Sequence, residues 1–314
     1  MKTLGSRRFL ACSRAEPVAA FQRQAMRGWK LSTVASDTER KRVFTQCPCS
    51  PRIPTAYMKF RPNTIKGVKK MLRLFLALLF AILFLLLSLP ILGIEWILSK
   101  YNRQASDLRQ LRMVQWAFRV ILFLCGTKVT VIGEENVPKD QPVLYIGNHR
   151  SYFDIIITYA RCPRLTGYIS KKEMEKVPLL RMWMRRLHCL FIDRKDVKEA
   201  LKTILAGIDN VKNGISMCIF PEGTRNKTDE LMLPFKEGSF KIAEKSGCPI
   251  IPMAITNSAD VLEAHMPRVK KTHVILEYGK PIYPNELDKE TKKKLGAYCQ
   301  NMIAEMLVKN QELV

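Results

Sequence analysis

The apolar residues follow three successive patterns along the chain. From Leu74 to Ile94 the run LFLALLFAILFLLLSLPILGI holds 21 residues without a charge, enough to cross a hydrocarbon core of about 30 Å. The next stretch, LRQLRMVQWAFRVILFLCG, has an apolar stripe with arginines spaced along its other side, which predicts an interfacial helix. After Gly126 short β-rich runs alternate with helical periods, the signature of an α/β sheet. Strands are predicted over 128–133, 142–147, 166–170, 189–193, 215–220, 250–255 and 273–278. Helices are predicted over 153–161, 173–187, 195–213, 237–246 and from about 286 to 309.

The predicted fold class is therefore α/β: a mixed central sheet of about seven strands flanked by helices, preceded by an N-terminal membrane-associated helical segment. Residues 126–314 are expected to form the main domain and 58–125 a membrane-anchoring helical segment or hairpin. Lys66, Lys69, Lys70 and Arg73 precede the apolar run, and Lys100, Arg103, Arg109 and Arg112 follow it. The positive-inside rule then puts both flanks, and the domain beyond them, on the cytoplasmic face. Pro90 and Gly93 mark a place for a kink. A helical hairpin dipping into one leaflet and a single span with weak charge asymmetry both fit this pattern.

Residues 1–57 have no sustained hydrophobic period, are rich in arginine and hold few acids. Such a stretch suits a targeting segment, or an over-extended reading frame upstream of Met58, and disorder is expected of it in either case. It carries a net charge of about +8 out of the chain's +24, so the basic excess extends well beyond the tail. A field of that size attracts anionic partners. Nucleic acid is a poor candidate, because no recognition motif and no aromatics interleaved with Arg or Lys accompany the charge. The nine cysteines are an odd number, and most stand inside apolar runs such as MCIF and HCLFI. They read as reduced, core-filling thiols. Cys47 and Cys49 are too closely spaced for half of a zinc site and lack a matching pair.

Two stretches carry candidate chemistry. In GNHRSYFD, Gly147 to Asp154, a histidine leaves a buried strand, where α/β sheets present reactive groups. His149 could take a proton from a hydroxyl if Asp154 held its far ring nitrogen. In one continuous helix five positions would turn the two side chains about 140° apart, so a bend must separate them. Gly147, Asn148 and Ser151 supply turn and capping chemistry for it. The second stretch, FPEGTRN from Phe220 to Asn226, also follows a buried strand. Gly223 allows close backbone approach, Thr224 offers a hydroxyl, Arg225 a fork matched to phosphate oxygens, and Glu222 a carboxylate to orient the arginine or a substrate hydroxyl. Taken alone, either stretch has a plain reading as a loop with an exposed ion pair. A metal site would need three ligands in one place, and His188, His265 and His273 come without HExxH or CxxC spacing. No metal is expected.

In this order and spacing, behind a hydrophobic anchor, the two stretches resemble the 1-acylglycerol-3-phosphate acyltransferases and related glycerolipid acyltransferases. The resemblance runs from about Leu111 to the C-terminus. Asn148, His149, Ser151 and Asp154 match the family's Asn-His-x-Ser-x-x-Asp block, and Phe220–Arg225 match its Phe-Pro-Glu-Gly-Thr-Arg block. Phe191, Ile192 and Arg194 match the Phe-Ile-x-Arg end of the family's second block, and Pro249 and Pro252 the Pro-x-x-Pro of its fourth. Lys172 matches the lysine of a Lys-Glu-Leu segment, with Met174 in place of leucine. The chain departs from the pattern at His188, where glycine is usual. If that backbone lines an acyl channel, chain-length preference would shift.

The resemblance implies direct transfer of a fatty acyl group from acyl-CoA or acyl carrier protein to the sn-2 hydroxyl of a lysophosphatidic acid. His149 would be the base and Asp154 its orienter. Ser151, Lys172, Arg194, Glu222, Gly223, Thr224 and Arg225 would act on the substrate, and the donor thioester would be a substrate, with no cofactor required. Implied partners are the lysophospholipid acceptor, the acyl donor and membrane lipids. Glycerol-3-phosphate or another lysolipid as acceptor is the nearest alternative. A non-catalytic membrane-binding protein on the same fold is the alternative from another class, and intact His149, Asp154 and Glu222 weigh against it.

Overall fold

The computed structural model describes residues 62–314, with side chains from Met71 onward. The expectations for residues 1–57, including Cys47 and Cys49, lie outside the described residues. Helices α1 (Pro62–Leu87), α2 (Leu89–Leu98) and α3 (Arg103–Cys125) come first. They are followed by β1 (Lys128–Ile132), β2 (Leu144–Gly147), α4 (Phe153–Tyr159), β3 (Thr166–Lys171), α5 (Pro178–Arg186), β4 (Leu190–Ile192), α6 (Val197–Lys212) and β5 (Ser216–Ile219). The chain ends with α7 (Lys241–Ser246), β6 (Ile250–Thr256), β7 (His273–Tyr278), α8 (Lys289–Lys293) and α9 (Leu295–Gln311).

The seven strands form one mixed sheet in the order β1-β7-β6-β2-β5-β3-β4. The five strands from β6 to β4 run parallel, and β7 is antiparallel to β6. Their carboxyl ends therefore share one edge, the edge at which such sheets bind ligands. Side chains alternate between the two faces with period two. On β2, Tyr145 belongs to a core with Val114, Phe153, Ile157 and Trp183. Leu144 and Ile146 belong to a second core with Ile208, Met217, Phe240 and Ile303 on the other face.

Three predicted helices break where backbone chemistry requires it. The stretch 173–187 opens as a 3-10 turn over Lys172–Lys176, and α5 starts at Pro178. Proline cannot donate into a preceding helix and disfavours helical geometry in the residue before it. The stretch 237–246 opens as a 3-10 turn over Glu237–Phe240. The C-terminal helix begins only after Asp288, whose carboxylate accepts from the Glu290 and Thr291 N–H groups, and it is interrupted at Lys294.

No single described helix is long and apolar enough to cross a membrane. Met71–Leu87 and Leu89–Leu98, bent by 44°, together have that length and apolar composition. The kink falls at Ser88, because Pro90 takes a place in the first turn of α2. One side of the pair, with Ala77 and Leu92, packs into the core. The other leaves Phe75, Ile82, Leu87, Ile94 and Trp96 exposed. Polar contacts fix the helices to each other and to the domain. Glu95 accepts from Ser106 Oγ at 2.6 Å and Arg109 Nε at 2.8 Å, tying α2 to α3. Trp183 Nε1 donates to Ser88 Oγ at 2.9 Å, and Gln115 Nε2 donates to the Cys162 carbonyl at 2.7 Å.

Candidate active site

His149 stands two residues past the end of β2, and Asp154 is the second residue of α4. The four residues between them form the bend that the pairing requires. Asp154 is fully buried, and its Oδ2 accepts from three donors, His149 Nδ1, Arg150 N and Ser151 N, each at 2.8 Å. The carboxylate thus shapes the loop and holds the imidazole in one gesture. With Nδ1 bonded to Asp154, the proton of a neutral ring sits on that nitrogen, and Nε2 presents a lone pair. The ring stacks on Phe220 with centroids 4.4 Å apart and planes 15° from parallel. Asn148 ties the same loop to the neighbouring strand through both ends of its amide, on Ile255 N and Ile255 O.

Glu222, after β5, is 4 % exposed. One oxygen accepts from His149 N at 2.7 Å, the other from Leu233 N at 3.0 Å. Burial pushes its carboxyl above the usual range, against the pull of these two N–H groups. It does not meet Arg225, so of the two roles the sequence offers Glu222, orienting the arginine or a substrate hydroxyl, the first is not made here. Arg225 Nη1 donates to Glu263 at 3.2 Å and Nη2 to Tyr152 Oη at 3.0 Å. Its guanidinium lies 3.7 Å from the Tyr152 ring centroid. Gly223 has φ of +75°, and a Cβ there would come 2.8 Å from Lys236 Nζ. The left-handed backbone is what favours glycine there, since the lysine end can move aside. Thr224 is exposed beside it.

Ser151 is wholly buried. Its hydroxyl donates to Glu263 at 2.7 Å and accepts from Phe153 N at 2.9 Å, which leaves it structural work and no open side toward a substrate. Lys172 and Arg194 follow β3 and β4, on the same sheet edge as His149 but two and three strands away. At the usual strand spacing that is about 10 Å and about 14 Å along the edge. Lys172 is paired there with Asp193 at 3.1 Å. The structure therefore brings His149, Asp154, Glu222, Gly223 and Arg225 together, and sets Lys172 and Arg194 along the flank. The sequence reading missed Phe220 as a stacking surface, Tyr152 and Glu263 as holders of Arg225, and Lys236 as a cation over Gly223. Glu263 and Lys236 sit in no local pattern that marks them. Phe220 could have been flagged, because it directly follows β5, the strand beside β2, which leads to His149.

The remaining histidines are dispersed. His273 Nε2 meets Thr130 Oγ1 at 2.8 Å, and His265 lies 4.0 Å from Asp260. His188 has φ of 56°, in the left-handed region glycine enters freely, so the backbone has the shape a glycine would give it. Its ring turns to Asp107 on α3 at 2.7 Å. Its neighbours Leu187 and Cys189, with Phe84, Phe118, Tyr159 and Trp183, line an apolar cavity of about 240 Å³ between the first helices and the sheet.

The Acyltransferase family profile matches residues 128–256. The 1-acyl-sn-glycerol-3-phosphate acyltransferase of Haemophilus influenzae is 30 % identical over 250 residues, 77 % of this chain and 97 % of that protein. The enzyme of the same name from Saccharomyces cerevisiae is 33 % identical over 202 residues, 62 % of this chain, and the match spans 65 % of the yeast protein's length. The crystal structure of the 1-acyl-sn-glycerophosphate acyltransferase from Thermotoga maritima superposes with a TM-score of 0.65 at 22 % identity, covering 78 % of this chain and 98 % of that one. That likeness establishes the shared fold. With a histidine–aspartate pair at the carboxyl edge of that fold and a full-length relative at this identity, the chain belongs to the 1-acyl-sn-glycerol-3-phosphate acyltransferase family.

Proposed function

We propose that this protein moves a fatty acyl group from acyl-CoA or acyl carrier protein to the sn-2 hydroxyl of 1-acyl-sn-glycerol-3-phosphate, giving phosphatidic acid. The observation that carries this reading is the His149–Asp154 pair, with Nε2 free, beside a held arginine. His149 Nε2 takes the proton of the acceptor hydroxyl as its oxygen attacks the thioester carbonyl. The tetrahedral intermediate collapses with cleavage of the C–S bond, and the imidazolium returns its proton to the departing thiolate. Asp154 stabilises the imidazolium in between, as a carboxylate does in other histidine-based acyl transfers. Arg225 grips the acceptor phosphate.

A covalent acyl-enzyme on cysteine does not fit the described thiols. All six are buried, and burial pushes Cys162 up to about 11 and Cys189 and Cys299 to about 12. A thiol held protonated is a poor nucleophile. The apolar cavity between the first helices and the sheet has the lining an acyl chain requires. The bent α1–α2 pair, with its exposed aliphatic face, supports attachment to a membrane, with both basic flanks and the domain on the cytoplasmic face. The acceptor then reaches the site without leaving the bilayer.

The test is transfer of labelled acyl groups, from acyl-CoA and from acyl carrier protein, to lysophosphatidic acid by membranes carrying the protein, with lysophosphatidylcholine in parallel. Phosphatidic acid as the main product supports the reading. Silence with lysophosphatidic acid and both donors overturns it.

A further inference from the structure

Arg225 owes its position to a residue outside every motif of the chain. Glu263 lies on a 3-10 turn in the connection from β6 to β7, and its carboxylate gathers three donors. Oε2 accepts from Ser151 Oγ at 2.7 Å, and Oε1 accepts from Tyr152 N at 2.7 Å and Arg225 Nη1 at 3.2 Å. Two of these partners belong to the loop that carries His149, and the third belongs to the loop after β5. The pair is mostly buried, with side chains 16 % exposed for Glu263 and 22 % for Arg225. In such a setting a charge-assisted bond is stronger than on the open surface.

Glu263 is itself firmly placed. Val261, two residues before it, is fully buried. Lys270 closes the turn by donating its backbone N–H to the Val261 carbonyl at 3.0 Å and its ammonium to Asp260 at 2.7 Å. Without Glu263, the only remaining hold on Arg225 among the described contacts is Tyr152, which is 51 % exposed. Arg225 and Glu263 also line one open cavity with Arg150, Tyr152, Lys227 and Met266, so the arginine faces a space that a ligand can enter.

We propose that Glu263 is a positioning residue of the acyl-transfer site, fixing the Arg225 fork toward the acceptor phosphate and tying that grip to the loop of the catalytic histidine. This rests on the acyl-transfer reading given above for its consequence in turnover, while the hold on Arg225 stands on geometry alone. Glu263 touches neither reacting atom, and Asp154 keeps the base in place without it. Its removal should therefore weaken acceptor binding and leave the chemical step largely intact.

The experiment compares full-length wild type, Glu263→Gln and Glu263→Ala by two readouts. The first is steady-state transfer to lysophosphatidic acid. The expected result is an acceptor KM raised about threefold in the glutamine variant and about tenfold in the alanine variant, with kcat within about twofold and donor KM unchanged. The second is the rate at which phenylglyoxal labels Arg225, followed on its peptide by mass spectrometry. Labelling should be several times faster in both variants, and most in alanine. Glutamine keeps an oxygen for the Tyr152 N–H and an amide for Ser151, so its melting midpoint should stay near wild type and serve as the folding control. Wild-type labelling of Arg225 in both variants, or a fall in kcat at unchanged acceptor KM, overturns the proposal. If the wild type makes no phosphatidic acid, the acyl-transfer reading fails, and the labelling rates still decide whether Glu263 holds Arg225.

Discussion

Replacing Asp154 with asparagine probes how much of the site depends on one carboxylate oxygen. Oδ2 takes N–H donors from His149, Arg150 and Ser151, each at 2.8 Å, while Oδ1 is buried with no partner. An asparagine must turn its carbonyl toward the three donors, which puts its NH₂ where the structure offers nothing to accept it. An unsatisfied buried donor costs about 1–3 kcal/mol of stability, and each kcal/mol lowers the melting midpoint of a domain this size by about 2–4 °C. The catalytic loss is larger. A neutral amide holds the ring less well and does not stabilise the imidazolium. In serine-protease triads the same change reduces kcat by about 10⁴. We expect kcat for phosphatidic acid formation to fall by about 10³–10⁴, or about 4–5.5 kcal/mol of barrier. Acceptor KM should change less than about threefold, because Asp154 is fully buried and its side chain bonds only to the His149 loop. The assay is initial rates at saturating donor and acceptor, with a melting curve on the same preparation. A folded Asp154→Asn protein keeping more than about a tenth of wild-type kcat would refute the role assigned to Asp154.

Two further perturbations test neighbouring parts of the account. Burial raises the Glu222 carboxyl above its ordinary value, so the native state binds that proton more tightly than the unfolded chain does. Its contribution is present below the unfolded value near pH 4.5 and is lost as pH rises through the raised one. Measured as melting midpoints from pH 4 to 7, the stability advantage of wild type over Glu222→Gln should shrink with rising pH; an advantage that grows would contradict the assigned shift. Gly167 on β3 approaches the β4 side so closely that a Cβ would lie 2.2 Å from the His188 carbonyl oxygen. Both partners there are backbone, so Gly167→Ala should destabilise by at least about 3 kcal/mol, seen as poor soluble yield or a large drop in melting midpoint. A near-wild-type melt would show that β3 and β4 pack less tightly than described.

The fold was largely legible because each strand is a short β-rich run bounded by turn residues, and the runs near 144–147, 216–219 and 250–256 are buried on both faces, as parallel strands are. The helix break at Pro178 was missed because the apolar period continues through it, and a period records faces while being blind to a lost N–H. In the site, His149, Asp154 and Arg225 were legible because strand ends and turn residues frame them. Glu222 was legible too, but of the two partners its sequence setting offers, the arginine and a substrate hydroxyl, it does not meet the arginine. Sequence adjacency suggests Arg225, whereas the turn at Gly223 sends the carboxylate back to the His149 and Leu233 backbone. Glu263 was invisible, since its contacts with Ser151 and Arg225 span 112 and 38 residues and only the sheet order brings β6, β2 and β5 side by side. Lys172 and Arg194 matched their blocks, but strand order alone decides how far along the edge they stand.

The central claim is that His149 is the base for acyl transfer to a lysolipid hydroxyl. Its most direct test is the pH dependence of kcat/KM for phosphatidic acid formation by the wild type, alongside His149→Gln, which cannot accept the proton. The account predicts that wild-type kcat/KM falls on the acidic side, as the base takes up its proton, and that the variant is at least about 10³-fold slower at neutral pH and lacks that fall. A folded variant that retains the fall, or that turns over within tenfold of wild type, would contradict it.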